Sequence, residues 1–418
     1  MLKVTNQNYA ALIHRVTQID AAENLDKLGT TPICGYSVLV PKSYVGELGV
    51  FFPPGSKLNK DFCSRNNLFR DSKLNSGIQV KGYLEENGRV KALKLKGNYS
   101  EGIFLPISSL AYLQESVKEG DEFNELGGVE VCTKYVTGFN RAQTKSTEPS
   151  EKRKRHLAEN ELLKNFSFHI DTPQLGRNLS KFSNETPVVV TRKYHGTSAV
   201  FAHIPAPRKL SFVEKILIKL GFNLITHEFL YIWSSRKVVK GVTSDSEKGR
   251  DKVSPGPGYY SEDIWTKVFD EVCDKIEPGI TLYGEIIGWT SKEKQIQKDY
   301  TYGLPPGKHA FIVYRITCTE PEGKVWEFGY DSIRAYCVKH NLEYAAQMEN
   351  VPIMELPSGA LDKQINNYFS KYKLPPNVPE EGLVVRKVES SRFDVYKYKT
   401  KDFLQYESGL SEKEEVLE

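Results

Sequence analysis

Thr191-Arg192-Lys193-Tyr194-His195-Gly196-Thr197-Ser198 is the stretch that decides how the rest of the chain is interpreted. It follows the apolar run Val188-Val189-Val190, which predicts a buried strand. The lysine at the end of this strand can act as a nucleophile if burial or nearby cations lower its pKa. Gly196 lets the backbone pass close to a bound ligand. A Lys-x-x-Gly tetrad alone is more typical of a turn with a solvated lysine, so its meaning depends on the segments that come after it in the chain.

Five later segments place polar or charged residues at the ends of predicted strands. They are Ser234-Ser235-Arg236-Lys237, Leu282-Tyr283-Gly284-Glu285, Phe311-Ile312-Val313-Tyr314, Glu381-Gly382-Leu383-Val384-Val385-Arg386 and Tyr396-Lys397-Tyr398-Lys399. Lys397 and Lys399 share one face of a strand, where two ammonium groups repel each other unless an anion lies between them. Glu285 and Glu381 each neighbour a glycine beside an apolar strand, a position from which a carboxylate binds a hydroxyl or a metal ion.

Length and composition set broad limits on the class of protein. The 418 residues predict two or three domains, and the net charge of +4 neither requires nor excludes a polyanionic partner. Six scattered cysteines show no metal-ligand spacing, which favours reduced thiols in a cytoplasmic protein. We find neither a cationic-then-apolar leader nor an apolar run near the roughly 20 residues that span a bilayer. The sequence therefore predicts a soluble, cytoplasmic protein without a membrane partner.

Changes in composition divide the chain into four segments. Residues 1–138 show short strand candidates and one helix, which favours a small closed barrel such as an OB-fold. Residues 139–160 are polar and rich in charge and form the best linker candidate, with a basic run at Lys152-Arg153-Lys154-Arg155. Residues 161–408 carry the lysine tetrad and the five later segments, and residues 409–418 form an acidic tail predicted to fray.

Two local patterns give further expectations. Glu86-Asn87-Gly88 predicts a hairpin turn between strands at Ile78–Tyr83 and Val90–Leu95, and on the second strand Lys94 and Lys96 share one face. Residues 211–220 place Phe212, Ile216 and Leu220 on one stripe, which predicts a helix packed on the core. The sequence indicates no function for the insertion that contains this helix.

Taken in order, the six segments resemble the signature motifs of the covalent nucleotidyltransferases, which are ATP-dependent DNA and RNA ligases and mRNA capping enzymes. The matching residues are Lys193-Tyr194-His195-Gly196, Ser235-Arg236, Tyr283-Gly284-Glu285, Phe311 to Tyr314, Glu381 to Val385 and Lys397-Tyr398-Lys399. The resemblance covers about residues 166 to 404. The N-terminal segment is similar to the OB domain of one branch of RNA ligases, which seals 3′-OH to 5′-phosphate ends. The resemblance thus implies an α+β protein: an OB-like β-barrel followed by a nucleotidyltransferase domain of antiparallel sheets and helices.

The resemblance also implies roles for individual residues. Lys193 would be the nucleophile that takes AMP from ATP, and Glu381 would hold the catalytic Mg²⁺ or Mn²⁺. Lys397 and Lys399 would bind the α-phosphate. The expected nucleotide contacts are Thr191 at the adenine, Arg192, Gly196, Arg236 at a phosphate, Glu285 at the ribose and Phe311 stacked on the adenine, with Tyr314 as the second candidate for stacking. Ser198, Lys94 and Lys96 are the expected nucleic-acid contacts.

Two residues depart from the family pattern. His195 lies where the family most often has Asp, and Ser198 lies where many DNA ligases have Arg and some RNA ligases have Asn. The resemblance implies a monomeric RNA ligase that acts on a nicked RNA or RNA/DNA duplex. A capping guanylyltransferase, a DNA ligase and a catalytically inactive nucleic-acid-binding protein remain alternatives. The extra length before Lys193, and the few residues after Lys399, favour the RNA ligase.

Overall fold

The computed structural model describes most of the chain. The described residues are 1–136, 163–208, 210–244, 251–252, 260, 262–388 and 393–415. The predicted linker, residues 139–160, lies outside them. Within these ranges, no helix combines the length and the apolar character needed to cross a membrane.

Helices are few and mostly short in the described ranges. The α-helices are α1 (Lys60–Arg65), α2 (Phe212–Lys219), α3 (Ile264–Val272), α4 (Tyr330–Lys339), α5 (Asp362–Tyr368) and α6 (Lys401–Glu415). The 3₁₀ helices are Gln7–Tyr9, Lys42–Tyr44, Ser72–Leu74, Ile107–Leu113, Gly176–Lys181, Cys273–Lys275 and Leu356–Ser358. Helix α6 includes residues 409–415, which the sequence assigned to a fraying tail.

The N-terminal part is built from short strands. They are β1 (Leu2–Lys3), β2 (Ala11–Arg15), β3 (Asp20–Ala21), β4 (Leu28–Ile33), β5 (Tyr36–Pro41), β6 (Leu48–Phe52), β7 (Ser56–Leu58), β8 (Ala92–Leu95), β9 (Asn98–Glu101), β10 (Ile103–Pro106), β11 (Glu122–Phe123), β12 (Glu125–Leu126), β13 (Val129–Glu130) and β14 (Cys132–Lys134). They form five small sheets, β1-β12-β13, β10-β6-β2-β11, β3-β4-β5, β8-β9 and β14-β7. Residues 1–136 are therefore β-rich as predicted, but their strands do not join into one closed barrel.

The second part contains two sheets, one of three strands and one of eight. Its strands are β15 (Val188–Lys193), β16 (Thr197–Pro207), β17 (His227–Ser235), β18 (Val239–Ser244), β19 (Asp251–Lys252), β20 (Ile280–Gly288), β21 (His309–Thr319), β22 (Val325–Glu327), β23 (Glu343–Tyr344), β24 (Gly382–Lys387) and β25 (Val395–Lys399). The smaller sheet has the order β15-β24-β25, and the larger has the order β19-β18-β17-β16-β20-β21-β22 with β23 pairing β21. All of these pairs are antiparallel except β21 with β23. The predicted mixed fold with antiparallel sheets is confirmed.

Large apolar side chains hold the bigger sheet against helix α3. The rings of Trp233 and Phe269 stack with centroids 4.4 Å apart, and Phe201 packs beside them. Offset aromatic contacts of this kind stabilise a core beyond the burial of their area. A separate apolar cluster lies under the smaller sheet and includes Val190 and Val385. The two sheets thus have their own cores, and the polar ends of their strands meet between them.

Helix α2 forms where the sequence predicted it but does not pack on the core. Ser211 and Glu214 make a capping box, in which each side chain bonds the backbone of the other residue. None of the helix residues is buried, and Phe212 and Leu220 are 78% and 69% exposed. The expectation of core packing is therefore wrong, because periodicity shows that a helix has an apolar stripe and not what covers that stripe.

The N-terminal hairpin also differs from the prediction. The turn at Gly88 exists, with its N–H bonded to the carbonyl of Glu85, but residues 78–83 form no strand. Strand β8 pairs instead with β9 across a turn at Lys96, whose φ is +47°. Lys94 and Lys96 therefore do not share one strand face. The Nζ of Lys94 lies 4.8 Å from the ring centroid of Tyr99, whereas Lys96 donates to the carbonyl of Asn24.

Candidate active site

Strand β15 delivers Lys193 to a cavity between the two sheets. Side chains alternate along a strand, so Val190 and Arg192 point into the core while Lys193 faces the cavity, with a side chain 24% exposed. The cavity has a volume of about 410 Å³. The Nζ of Lys193 lies 2.8 Å from Oε1 of Glu381. Strand β15 pairs with β24 so that Lys193 is opposite Gly382, which explains this proximity.

Glu381 is the central carboxylate of the cavity. Its side chain is only 5% exposed, and its Oε1 is also 3.8 Å from the Nζ of Lys399. Burial opposes its ionisation, but Lys193, His195 and Lys399 outweigh burial and lower the pKa of Glu381. Its Oε2 is buried without a hydrogen-bond partner, with Nδ1 of His195 at 3.7 Å. An ionised oxygen held in this way has coordination capacity to spare for a cation.

Lys397 and Lys399 both line the cavity from strand β25. Burial lowers the pKa of Lys397 to about 8, with Lys399 and Lys193 acting in the same direction and Asp171 opposing them. Burial also acts to lower the pKa of Lys399, but Glu407 and Glu381 outweigh it and raise that pKa. Lys399 lies 3.2 Å from a carboxylate oxygen of Glu407. Both ammonium groups line the cavity, where each can donate a charge-assisted hydrogen bond to a bound anion.

Glu285 faces the same cavity from strand β20. Its Oε1 accepts a hydrogen bond from the N–H of Gly196 at 3.1 Å. Burial, with a contribution from Glu381, raises the pKa of Glu285 to about 8, although Lys193 opposes the shift. A Cβ at position 196 would collide with the carbonyl oxygen of Ile286. Glycine is therefore required for the loop after Lys193 to lie against this strand.

Asp171 bridges two cations of the site. One of its oxygens lies 3.2 Å from the Nζ of Lys397 and 3.1 Å from Nη2 of Arg236. Burial raises the pKa of Asp171, but Lys397 and Arg236 outweigh burial, so the net shift is downward. Each lysine of β25 therefore has its own anionic partner: Asp171 for Lys397, and Glu407 with Glu381 for Lys399.

The two aromatic candidates lie in different places. Phe311 is buried in the core of the large sheet, with its ring 4.8 Å from that of Phe201, and it does not line the cavity. Tyr314 lines the cavity, and its hydroxyl is 3.3 Å from Oγ of Ser198. Strand β21 is bulged here, because its Arg315 is opposite Tyr283 of β20 whereas its Val313 is opposite the next residue, Gly284. Tyr314 is the additional residue, and a bulge of this kind redirects a side chain.

The side chain of Arg192 points to the core behind the cavity. It is fully buried and forms two hydrogen bonds with the carboxylate of Glu380, at 2.8 and 2.6 Å. The ring centroids of Tyr194 and Tyr302 lie about 5 Å from its guanidinium, at 4.9 and 5.1 Å. Arg192 is still one of the residues that line the cavity, so the nucleotide contact expected from the sequence stays a prediction. The buried guanidinium holds strand β15 behind the cavity, one residue before Lys193.

The remaining predicted residues divide into two groups. Thr191, Gly196, Ser198 and Arg236 line the cavity together with the charged residues described above. The structure does not bring Lys94 and Lys96 to the cavity, whose lining they do not join.

Several residues of the site were missed from the sequence. Two come from the N-terminal part, Tyr9 and Lys134, and the Nζ of Lys134 lies 5.4 Å from the centroid of the Tyr9 ring. Asp171 and Glu407 are lone acids without a glycine or an apolar strand beside them, so no local pattern marked them. Tyr302 was also missed, although its hydroxyl accepts a 2.6 Å hydrogen bond from the N–H of His195 and holds the loop after Lys193.

Comparisons with known proteins agree with this architecture. Solved structures of an RNA ligase from Naegleria gruberi have a similar fold. A variant with ATP and Mn is 17% identical, with a TM-score of 0.58 over 96% of this chain and 99% of that chain. The same ligase with PPi is 17% identical, with a TM-score of 0.57 over 97% and 100%. No curated protein sequence matches the chain.

A family model described as RNA ligase matches residues 186–400. This range is more than half of the 418 residues and contains all six motif segments, from Lys193 to Lys399. The ordered motifs, the cavity into which the structure brings them and this match lead to the same result: the protein belongs to the RNA ligase family.

Proposed function

We propose that this protein is an ATP-dependent RNA ligase that joins 3′-OH and 5′-phosphate ends through a lysyl-AMP intermediate on Lys193. The observation that carries the proposal is the position of the Lys193 amine, 2.8 Å from a buried carboxylate in a cavity with Lys397 and Lys399. Structures of similar fold contain ATP and Mn, or AMP and Mn, which supports the choice of nucleotide.

In the first step, the cations of the cavity would bind the phosphates of ATP. The neutral amine of Lys193 attacks the α-phosphorus. The bond between this phosphorus and the oxygen that bridges to the β-phosphate breaks, and pyrophosphate leaves. Lys397 and Lys399 stabilise the negative charge on the α-phosphate during this displacement, the main contribution that a protein makes to phosphoryl transfer. Arg236, on the opposite side of Asp171, adds a further positive charge for the phosphates.

The site fits a divalent cation with few protein ligands. Glu381 would hold it, since its Oε2 is buried and has no hydrogen-bond partner. Among the described residues, no group of three His, Cys, Asp or Glu side chains is arranged for a metal. A magnesium ion suits such a site because it keeps several waters and takes phosphate oxygens as ligands. When bound, Mg²⁺ or Mn²⁺ would neutralise charge on the α-phosphate.

The other walls of the cavity suit a nucleoside. Glu285 can accept a hydrogen bond from a ribose hydroxyl while it holds the N–H of Gly196. Tyr314 presents its ring to the cavity, so we assign the stacking contact with adenine to Tyr314 rather than Phe311. Thr191 lines the same cavity and is placed for contacts with the base.

Two transfers to the nucleic acid complete the reaction. An oxygen of the 5′-phosphate attacks the AMP phosphorus, releases Lys193 and forms an adenylylated end. The 3′-hydroxyl then attacks the 5′-phosphorus and displaces AMP. We propose that the substrate is a nick in a duplex with RNA on the 3′-OH side. Ser198, which lines the cavity beside Tyr314, would contact the accepting phosphate.

We also propose a division of labour along the chain. Residues 1–138 would act as an OB-like nucleic-acid-binding domain, joined by residues 139–160 to the catalytic domain at 161–408. Support comes from the β-rich N-terminal part and from its separate apolar core around Phe52 and Phe62. We expect the enzyme to act as a monomer, because the side chains assigned to nucleotide and metal all come from one chain.

The first test measures transfer of label from α-labelled ATP to the protein with magnesium present. We expect labelling of the wild type, none of Lys193→Ala, and normal labelling of Lys339→Ala, an exposed lysine paired with Glu277. Undiminished labelling of Lys193→Ala would show that the nucleophile is wrongly assigned. Labelling by GTP instead of ATP would favour a capping guanylyltransferase.

The second test compares nicked duplexes that differ only in the sugar on the 3′-OH side. We expect efficient sealing with ribonucleotides there and slower sealing with deoxyribonucleotides. Equal rates on the two substrates would contradict the specificity for RNA. If the protein labels itself but seals neither nick, the proposed adenylylation step holds and the proposed nucleic-acid substrate is wrong.

A further inference from the structure

The insertion between strands β16 and β17 presents an apolar surface that the catalytic site does not use. This tip consists of residues 210–225, with helix α2 at its centre. Six of its apolar side chains are exposed: Phe212 by 78%, Val213 by 64%, Ile216 by 42%, Leu220 by 69%, Phe222 by 58% and Ile225 by 69%. Scattered exposed apolar residues are normal, but a contiguous group of this size marks an interaction surface.

The apolar side chains of α2 lie on one stripe. Phe212, Val213, Ile216 and Leu220 fall within less than half of the helix circumference at 100° per residue. Lys215 and Lys219, both exposed, border this stripe on one side. This apolar stripe faces solvent. In a helix that packs on its own protein, the apolar stripe would instead face the core.

The charge of the tip is suited to an anionic surface. Glu214 is the only acidic side chain between residues 210 and 225. It is already bound to Arg208 at 2.7 Å and to the N–H of Ser211 at 2.8 Å. The two lysines beside the apolar stripe are therefore not neutralised by an acid of the tip. Lysines beside exposed Phe and Leu are typical of helices that lie in the interface of an anionic membrane.

The tip also lies far from the catalytic cavity. Strands β16 and β17 pair continuously from Ala199 opposite Ser235 to Pro207 opposite His227. Eight residue steps separate these two ends, or roughly 25 Å along a strand. Ser198 lines the cavity at the near end, whereas the helix follows the far end. A membrane that holds the tip would leave the mouth of the cavity accessible to nucleic acid.

A second copy of the chain is a less suitable occupant. Helix α2 has eight residues and is therefore about 12 Å long. A standard protein interface buries roughly 800 Å² on each partner. A helix this short, with its loop, offers too small a surface for such an interface. Acyl chains adapt to protruding side chains without a shaped partner.

We propose that the tip, residues 210–225, is a membrane-interface anchor that inserts its apolar side chains into anionic lipid, with Lys215 and Lys219 at the headgroups. The sequence predicted no membrane partner because no segment is long enough to span a bilayer, but an interfacial helix needs no spanning segment. The anchor is independent of the lysine chemistry, so either proposal can fail while the other holds.

The test is co-sedimentation of the full chain with vesicles of phosphatidylcholine alone and of phosphatidylcholine mixed with phosphatidylglycerol. We expect binding to the mixed vesicles and little to phosphatidylcholine alone. In a triple variant, Phe212→Ser, Leu220→Ser and Ile225→Ser, the fraction of protein bound to the mixed vesicles should fall by about tenfold or more. Lys215→Glu with Lys219→Glu should lose the preference for anionic vesicles. Both variants should keep wild-type lysine adenylylation, because all five positions are exposed and distant from the cavity.

Val338→Ser is the matched control, since this residue is 67% exposed on helix α4, outside the tip. It should bind vesicles like the wild type. Failure of the wild type to bind either vesicle would overturn the proposal, as would equal binding by the triple variant. Light scattering on the same samples distinguishes the other occupant: a dimer that the triple variant abolishes, without vesicle binding, would assign the tip to self-association.

Discussion

The buried pair between Arg192 and Glu380 gives the sharpest test of how strand β15 is held. The guanidinium is 0% exposed, the carboxylate is 4% exposed, and two short hydrogen bonds join them. Replacing Arg192 by Met keeps much of the volume but leaves the carboxylate buried and unpaired. Removing one partner of a buried ion pair costs about 3–5 kcal/mol in free energy of unfolding. Lys193, the proposed nucleophile, is the next residue and contacts a different carboxylate, that of Glu381.

The double variant separates the pair from the packing around it. Well-packed apolar residues often replace a buried pair without loss of stability, so Arg192→Met with Glu380→Leu should restore most of what either single variant loses. The expected coupling energy between the two positions is therefore several kcal/mol, at the upper end of values for residues in contact. Urea unfolding of the unliganded protein measures all four forms.

Lys193→Met is the matched control on the same strand. It should abolish labelling by ATP and lose less stability than Arg192→Met, because the Lys193 side chain is 24% exposed and Glu381 keeps Lys399 at 3.8 Å. Arg192→Met should do the reverse and retain the affinity for ATP under conditions where it is folded. The reasoning is refuted if Arg192→Met unfolds at the wild-type urea concentration but binds ATP more weakly, since the arginine would then contact the nucleotide.

Three further predictions concern the cavity. Because the pKa of Lys397 is about 8 and Asp171 raises it, kcat/KM for ATP in self-labelling should decline above about pH 8, and Asp171→Asn should move this decline to lower pH; an unchanged profile would disprove the coupling. Tyr314→Ala should raise KM for ATP, whereas Phe311→Ala should lower stability by about 3–5 kcal/mol, and thermal unfolding with titration of ATP separates the two effects. Lys134→Ala should slow self-labelling, as measured by the initial rate, and a normal rate would remove this residue from the nucleotide site.

The charged centre of the site could be predicted because its residues lie next to recognisable local patterns. Lys193 ends a strand three residues before Gly196, Glu285 and Glu381 each neighbour a glycine, and Lys397 and Lys399 alternate on one strand. The structure brings all five to one cavity. Their order along the chain carried the prediction, because the ordered set resembles the signature motifs of the covalent nucleotidyltransferases.

The choice between Phe311 and Tyr314 could not be made from the sequence. On a regular strand, a residue's face follows from the alternation of its neighbours. Here the register changes between Tyr283 and Gly284, and the partner strand accommodates one additional residue. A bulge depends on the pairing of two strands distant in sequence, so neither strand alone indicates which ring reaches the cavity.

Arg192 and helix α2 show that neither a charged residue nor an apolar periodicity reveals, from the sequence alone, what will pack against it. The sequence predicted a nucleotide contact for Arg192, but alternation turns its side chain into the core, where Glu380 from a distant part of the chain neutralises it. The stripe of α2 predicts a helix correctly, yet its burial depends on whether another element lies over it. Local patterns determine the element, whereas its partners come from the tertiary fold.

The N-terminal part changes the design of the experiments on this enzyme. From the sequence, removal of residues 1–138 is expected to impair sealing more than adenylylation, because OB-like domains bind strands. The structure places Tyr9 and Lys134 in the wall of the nucleotide cavity. It also joins Ala92 to Ser408 by a hydrogen bond of 3.2 Å from the N-terminal part to helix α6. Deletion would therefore open the cavity and uncover that helix together, so only point variants such as Lys134→Ala can separate nucleotide binding from strand binding.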